Sequence, residues 1–291
     1  MVNVGLIGTG LLGSAIAKRL LSKGYRLTVY NRTRSKAEAL EQYGAFVADT
    51  PMHVADESDI VITVLKDSYA LEHIAFGTNG LIYSKSKFVL ADVSTINPFA
   101  SKAIASRLKE HGIVMLDTPV MGGPQLAEQG MLLLMVGGSK EHYEMFKDVF
   151  NAVASKVMYI GENGSAHALK LALNLQIAMI AAALSEGMLL VKAYGVDPMI
   201  FLEALNSTYF STGLSQRKGP KMVKHEVEKS FALSMMLKDI TTINDTAREL
   251  NISLPMISML EHIYRQASKT DLADKDYTAI FEFLERINKL Y

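Results

Sequence analysis

The chain has 291 residues, enough for two ordinary domains with a sizeable buried core. Its 30 basic and 30 acidic residues cancel, so no net field draws it to nucleic acid or to an anionic membrane. It has no cysteine, which excludes disulfides, thiolate metal sites and a cysteine nucleophile.

The opening run MVNVGLIGTG shows neither a basic leader nor a small-residue cleavage site, so a cytoplasmic protein is expected. From residue 1 to about 160, short β-branched runs alternate with helix-length segments of mixed polarity. The runs are VNVGLIG, RLTVYN, DIVITVL, KFVLAD, GIVML, LLLMVGG and KVMYIG. Such alternation predicts a parallel α/β sheet, and the nearly unbroken apolar runs predict helices on both of its faces.

The first run leads directly into GTGLLG, in which Gly8, Gly10 and Gly13 are followed by the helical SAIAKRLL. Strand, glycine-rich turn and helix start stand in the order needed to bring backbone N–H groups up to a pyrophosphate. A glycine-rich packing turn is the plainer alternative, and the second strand at 26–30 favours the nucleotide. That strand ends in YNRTRSK rather than in the carboxylate that usually receives the ribose hydroxyls of NAD. Asn31 carries no charge to repel a 2′-phosphate, and Arg32, Thr33, Arg34 and Lys36 offer donors and positive charge, so NADP is expected over NAD. A solvated basic turn opening a helix is the alternative reading.

After Gly161 the strand signal stops, and helical stretches follow, broken at 195–198, 213–220 and 251–255. The expected fold class is therefore α/β, with a Rossmann-type doubly wound sheet over 1–162 followed by an all-α C-terminal domain over 163–291 that starts with a long interdomain helix. That helix is read from residues 164–195, and near its start stands a single charged residue, Lys170, one turn before Asn174. A helix-end lysine whose stem snorkels to water accounts equally well for this stretch taken alone. The helix approaches membrane-spanning length, but Asn174, Gln176, Ser185 and Glu186 interrupt it, so it is read as a core or subunit-interface helix. The seven histidines form no metal-ligand pair and are each read as surface or packing residues. No metal is expected.

Four ordered stretches and a shorter loop resemble the β-hydroxyacid dehydrogenase family, which includes 3-hydroxyisobutyrate dehydrogenase and the tartronate semialdehyde, succinic semialdehyde and glyoxylate reductases. They are GLIGTGLLGSAIAKRL, DTPVMGGPQLAEQG, GENGSAHALKLALN and LKDITTINDTA, with ADVSTINP as the loop. The resemblance implies Lys170 as the catalytic acid and base, and Thr95, Met121, Gly122, Gly123, Asn174 and Phe231 as substrate contacts. It further implies Gly8, Gly10, Leu11, Leu12, Gly13, Asn31, Arg32, Thr33, Lys36, Leu65, Thr95 and Lys238 at the cofactor, with Asp239 beside Lys238 and Ser94 beside Thr95. Tyr209 and Phe210 are further candidates for the pocket lining, and for them, as for Phe231 and Met121, a core role is the alternative.

Two positions depart from the family pattern. Met121 stands where relatives carry a serine before the paired glycines, removing a hydroxyl that would hold a substrate carboxylate; Ala166 replaces a common glycine, a small change if the backbone there is helical. In the implied reaction Lys170 accepts the alcohol proton as hydride leaves, or donates one to the forming alkoxide. A free lysine has a pKa of about 10.4, and apolar burial with a cationic nicotinamide ring would lower it. The implied substrate is a small hydroxy acid or aldehyde, and a homodimer or homotetramer is expected because a helix apolar all round must be covered on every face. An imine reductase, which would tolerate Met121, and a non-catalytic NADP-binding regulatory protein are the alternatives; retention of Lys170 weighs against both.

Overall fold

The computed structural model describes residues 2–290. These divide into two compact units, Met1–Lys170 and Leu171–Tyr291.

The first unit is built on nine strands: β1 (Asn3–Ile7), β2 (Arg26–Tyr30), β3 (Phe46–Val47), β4 (Ile60–Thr63), β5 (Val89–Asp92), β6 (Val114–Asp117), β7 (Val120–Met121), β8 (Leu132–Gly137) and β9 (Ala154–Gly161). Their order is β3-β2-β1-β4-β5-β6-β8-β7, with β9 paired to β8. Strands β3 to β6 are mutually parallel, as expected. The expectation of a wholly parallel sheet fails beyond β6, where β8 runs antiparallel to β6 and β7. β6 and β7 run in the same direction, and the chain returns through residues 122–131, the short helix Pro124–Gln129 included, so that β8 comes back alongside both in the opposite sense.

The helices of this unit are α1 (Leu11–Ser22), α2 (Arg34–Glu38), α3 (Pro51–Asp56), α4 (Ser68–Phe76), α5 (Pro98–Glu110), α6 (Pro124–Gln129), α7 (Lys140–Met145) and α8 (Lys147–Val153). Successive strand residues point to opposite faces, and both faces are buried. Val4, Leu6, Ile60, Ile62 and Val89 join one apolar core with Ile16 and Leu20 of α1. Ile7, Val61 and Leu90 join a second with Val54 of α3 and Leu71 of α4. That is why these strands read as unbroken apolar runs. Because β1 has β2 on one side and β4 on the other, the chain order reverses beside β1, and the crevice opens at the C-terminal ends of these two strands.

The helix α9 (Ser165–Tyr194) contributes its first residues to the first unit and the rest to the second. It is followed by α10 (Pro198–Asn206), α11 (Gly213–Arg217), α12 (Gly219–Val223), α13 (Leu233–Glu249), α14 (Pro255–Ala267) and α15 (Ile280–Ile287). The helix breaks fall where Gly and Pro punctuate the sequence: α9 gives way to Gly195, and Pro198 and Pro255 open α10 and α14, where a missing N–H costs nothing. Leu171, Ala178 and Ala181 of α9 pack with Ile240 and Ile243 of α13 and Tyr264 of α14. By length and composition α9 could cross a membrane, and only a third of its most apolar stretch is buried within the chain. Leu190 and Tyr194 face outward. The expectation of a helix covered on every face is therefore not met by this chain's own atoms.

Asp276, almost wholly buried, ties the second unit's loops together. It receives Lys218 Nζ at 2.8 and 2.9 Å, the Ser230 N–H at 3.0 Å and the Thr278 hydroxyl at 2.8 Å. Burial pushes the carboxyl up, but the Lys218 ammonium and these donors outweigh it and hold it below the ordinary carboxylate range. A depressed acid contributes stability above its unfolded pKa and loses it as pH falls through the folded one. Asp276→Asn should therefore lower stability by roughly 2 to 3 kcal/mol at pH 7, and the deficit should shrink as pH falls below about 4, where wild type loses the same charge. Urea unfolding of both proteins at neutral and acid pH checks this; a deficit independent of pH would show that the ion pair is not its source.

Candidate active site

The turn after β1 has the geometry of an anion cradle. Gly8 adopts φ +101°, and a Cβ there would overlap the Val64 carbonyl. At Gly13 a Cβ would collide with the Gly8 carbonyl, so α1 can lie this close to the strand only without a side chain. Gly10 caps α1 with nothing within 4 Å of where its Cβ would stand. The first turn of α1 has no side-chain cap and no acidic residue, so its N–H groups and dipole are unspent. Leu11 is exposed, Leu12 is half-buried, and the buried Thr9 hydroxyl has no hydrogen-bond partner among the described residues. Open space at Gly10 and an uncapped helix end fit a dinucleotide's pyrophosphate.

At the end of β2, Asn31 holds the cradle. Its Oδ1 accepts from Thr9 N–H at 3.1 Å and its Nδ2 donates to the Thr33 carbonyl at 2.9 Å. Arg34 is engaged by Glu38 at 2.8 Å and by Asp49. Arg32, Thr33 and Lys36 are exposed, and among the described residues no carboxylate forms an ion pair with Arg32 or Lys36.

Beside this cradle the ends of β4, β5 and β6 carry a buried polar chain. The Leu65 N–H donates to Ser94 Oγ at 2.9 Å, and that hydroxyl donates to Asp92 Oδ1 at 2.6 Å. Thr63 Oγ1 donates to the same oxygen at 2.7 Å. Burial pushes the Asp92 carboxyl up, against the pull of His167, Ser94 and Thr63. Thr95 follows, half-buried. Asp117 accepts from the Ser101 hydroxyl at 2.6 Å, from Asn163 Nδ2 at 3.1 Å and from the Gly164 N–H. Asn163 and Gly164 immediately precede α9, so this carboxylate sets where the helix begins. Lys170 lies in its second turn, half-buried, with Nζ 3.2 Å from Met121 Sδ. Met121 ends β7, and Gly122 after it adopts φ +125°, so the first unit brings Lys170 and the paired-glycine loop together.

The second unit brings together Asn174, Lys238 and Asp239. Asn174 Nδ2 donates to Asp239 Oδ2 at 2.6 Å, and Lys238 Nζ lies 2.7 Å from Asp239 Oδ1. Phe231 is half-buried against the Tyr277 ring, and its carbonyl accepts the Tyr277 N–H. Tyr209 and Phe210 lie against one another with tilted, exposed rings, so they enclose nothing within the described residues. Sequence reasoning missed the partnership of Asn174 with Asp239 and the burial of His167 beside Asp92 and Asp117. The one signal for the second was that ADVS and LDTP both place an aspartate where an apolar strand ends.

Two family models together match nearly the whole chain: one described as the NAD-binding domain of 6-phosphogluconate dehydrogenase over residues 3–161, and one as NAD-binding of NADP-dependent 3-hydroxyisobutyrate dehydrogenase over residues 164–284. The chain is 30% identical over 285 residues to glyoxylate/succinic semialdehyde reductase 2 of Arabidopsis thaliana, covering 98% of this chain and 80% of that protein. It is also 30% identical over 289 residues to the mitochondrial 3-hydroxyisobutyrate dehydrogenase of Mus musculus, covering 97% and 86%. The 3-hydroxyisobutyrate dehydrogenase of Mycobacterium tuberculosis, solved with L-serine, shares the fold, with a TM-score of 0.88 at 22% identity over 98% of this chain and 99% of that one. With a glycine cradle built for a dinucleotide and relatives matched along almost its full length, the chain belongs to the β-hydroxyacid dehydrogenase family of nicotinamide-dependent oxidoreductases acting on CH–OH groups.

Proposed function

We propose that the chain is an NADP-dependent oxidoreductase interconverting a small β-hydroxy acid and its semialdehyde, or reducing a related 2-oxo acid such as glyoxylate, with Lys170 as general acid and base. The observation that carries the reading is the half-buried Lys170 ammonium set against the paired-glycine loop, 3.2 Å from Met121 Sδ. When bound, the nicotinamide supplies or accepts the hydride. Lys170 donates a proton to the forming alkoxide in reduction and accepts the alcohol proton in oxidation. Asn174, one turn further along α9 and oriented by Asp239, aligns the substrate oxygen.

Preference for NADP rests on the neutral Asn31 and on the exposed Arg32, Thr33 and Lys36. The family model for NADP-dependent 3-hydroxyisobutyrate dehydrogenase supports it, as the named substrates of the relatives support the substrate class. The outward apolar residues of α9, Leu190 and Tyr194, support a homodimer or homotetramer, and the protein is taken to work in the cytoplasm. The direct test is consumption of NADPH and NADH with glyoxylate, succinic semialdehyde and methylmalonate semialdehyde. Activity on none of the three would refute the substrate class.

Three substitutions examine the parts separately. Lys170→Ala should lose on the order of 100- to 10,000-fold in turnover while still binding NADPH, since the phosphate cradle is untouched. Turnover within a few-fold of wild type across a range of pH would remove Lys170 from proton transfer. Arg32→Asp should reverse the preference toward NAD, because a carboxylate repels a 2′-phosphate as well as removing its partner; the ratio of kcat/KM for the two cofactors measures it, and an unchanged ratio puts the 2′-phosphate elsewhere. Met121→Ser should raise kcat/KM for small hydroxy acids by about tenfold, as one hydrogen bond to a charged group contributes roughly 1.5 to 3 kcal/mol before costs of fit. A fall in Tm without a change in substrate preference would mean that Met121 only packs.

A further inference from the structure

His167 lies in the first turn of α9 with no exposed surface, and neither ring nitrogen has a hydrogen-bond partner among the described residues. Its Nε2 stands 3.7 Å from Asp92 Oδ2 and 3.7 Å from Asp117 Oδ1, and both carboxylates are themselves wholly buried. An imidazole N–H at that distance has not closed a hydrogen bond, and a small turn of the ring closes one to either side but not to both. The two acceptors are not equal. Asp117 already takes Ser101, Asn163 and Gly164, with donors on both of its oxygens. Asp92 takes Thr63 and Ser94 on Oδ1 alone, and its Oδ2 is buried without a donor. A buried carboxylate oxygen left open is costly, as is a buried ring N–H, and each is the other's nearest remedy.

We propose that His167 is the positioning residue for Lys170: its Nε2–H closes onto Asp92 Oδ2 and ties the first turn of α9 to the loop that carries Ser94 and Thr95. A continuous path then runs from the Leu65 N–H through Ser94 Oγ, Asp92 and His167 to the helix turn bearing Lys170, three residues on. Every member belongs to the first unit. The tie keeps the Lys170 ammonium at a constant height above the strand ends while proton transfer takes place, and a displacement of about 1 Å in such a group can cost on the order of 100-fold. The inference rests on the reading of Lys170 as acid and base.

The test compares His167→Leu, which removes the donor, with His167→Gln, which keeps an N–H able to reach Asp92. For each, kcat, KM, NADPH affinity by fluorescence titration and Tm are measured. His167→Leu should lower kcat by about 30- to 100-fold with NADPH affinity within about threefold of wild type, and His167→Gln should restore kcat to within about fivefold. Wild-type kcat in a folded His167→Leu, or equal losses in the Leu and Gln variants, would overturn the proposal and leave His167 a packing residue. Should the Leu variant fail to fold, Asp92→Asn carries the test from the other side: a kcat loss of about tenfold at unchanged NADPH affinity supports the tie, and an unchanged kcat overturns it. Lys170→Ala is run alongside. If it too turns over normally, the acid and base reading has failed; if it collapses while His167→Leu does not, only the positioning role has.

Discussion

The hydrogen bonds gathered by the Asp117 carboxylate are the constraint on which the site in the first unit depends. Asp117 closes β6, has no exposed surface, and joins the N-terminal part of α5, through Ser101, to the loop that launches α9, through Asn163 and Gly164. A carboxyl group held away from water is tolerable only when hydrogen-bond partners replace its hydration, and three donors do so here. Gly164 adopts φ +91°, and a Cβ there would press on the Lys102 side chain and the Pro98 carbonyl, so the junction needs a glycine for backbone conformation and for space together. Once that junction is set, the rise of the helix dictates where Lys170 stands.

Much of this was legible in sequence because each feature is local. The apolar runs end within about two residues of the ends of β1, β2, β4, β5 and β6, the glycines of GTGLLG take the three separate roles their spacing requires, and α9 occupies 165–194 where 164–195 is expected. Ala166 lies inside the helix and is fully buried, consistent with a position that does not need a glycine's freedom. What escaped was what depends on partners distant in the chain. Strands β3 and β7 are two residues each and exist only because a neighbour supplies their hydrogen bonds, so no periodicity could announce them. Arg34 reads as one more cation in a basic turn, yet Asp49 and Glu38 have already engaged it, whereas among the described residues Arg32 and Lys36 form no such pair.

The second unit shows the same limit in its charges. Charged residues of an amphipathic helix ordinarily occupy its wet face, yet Glu282 and Glu285 of α15 are both almost wholly buried. Lys192 reaches Glu285 at 2.5 Å from α9, and Arg286 and Lys275 reach Glu282, so the carboxylates are paired rather than solvated. Removing two charges from water costs more than a single contact returns, and the burial is tolerable because several cations converge on the pair. Only the packing of α15 beside those cations reveals it, since Lys192 lies 93 residues away in the chain.

Met121 joins the two kinds of information, since its identity is a sequence fact and its neighbour is a structural one. A thioether is a weak acceptor, so its approach to Lys170 Nζ at 3.2 Å restrains the lysine more by occupying space than by binding its charge. A serine hydroxyl at the same backbone position would be shorter and a stronger acceptor, leaving room for a substrate carboxylate and a partner for it. With methionine, a thioether stands against Lys170 Nζ and the side chain before the paired glycines is apolar. In the proposed reaction this shifts selection away from the substrate's acid group and onto the carbonyl that Lys170 protonates, so a residue that performs no proton transfer would still decide which member of the substrate class turns over fastest.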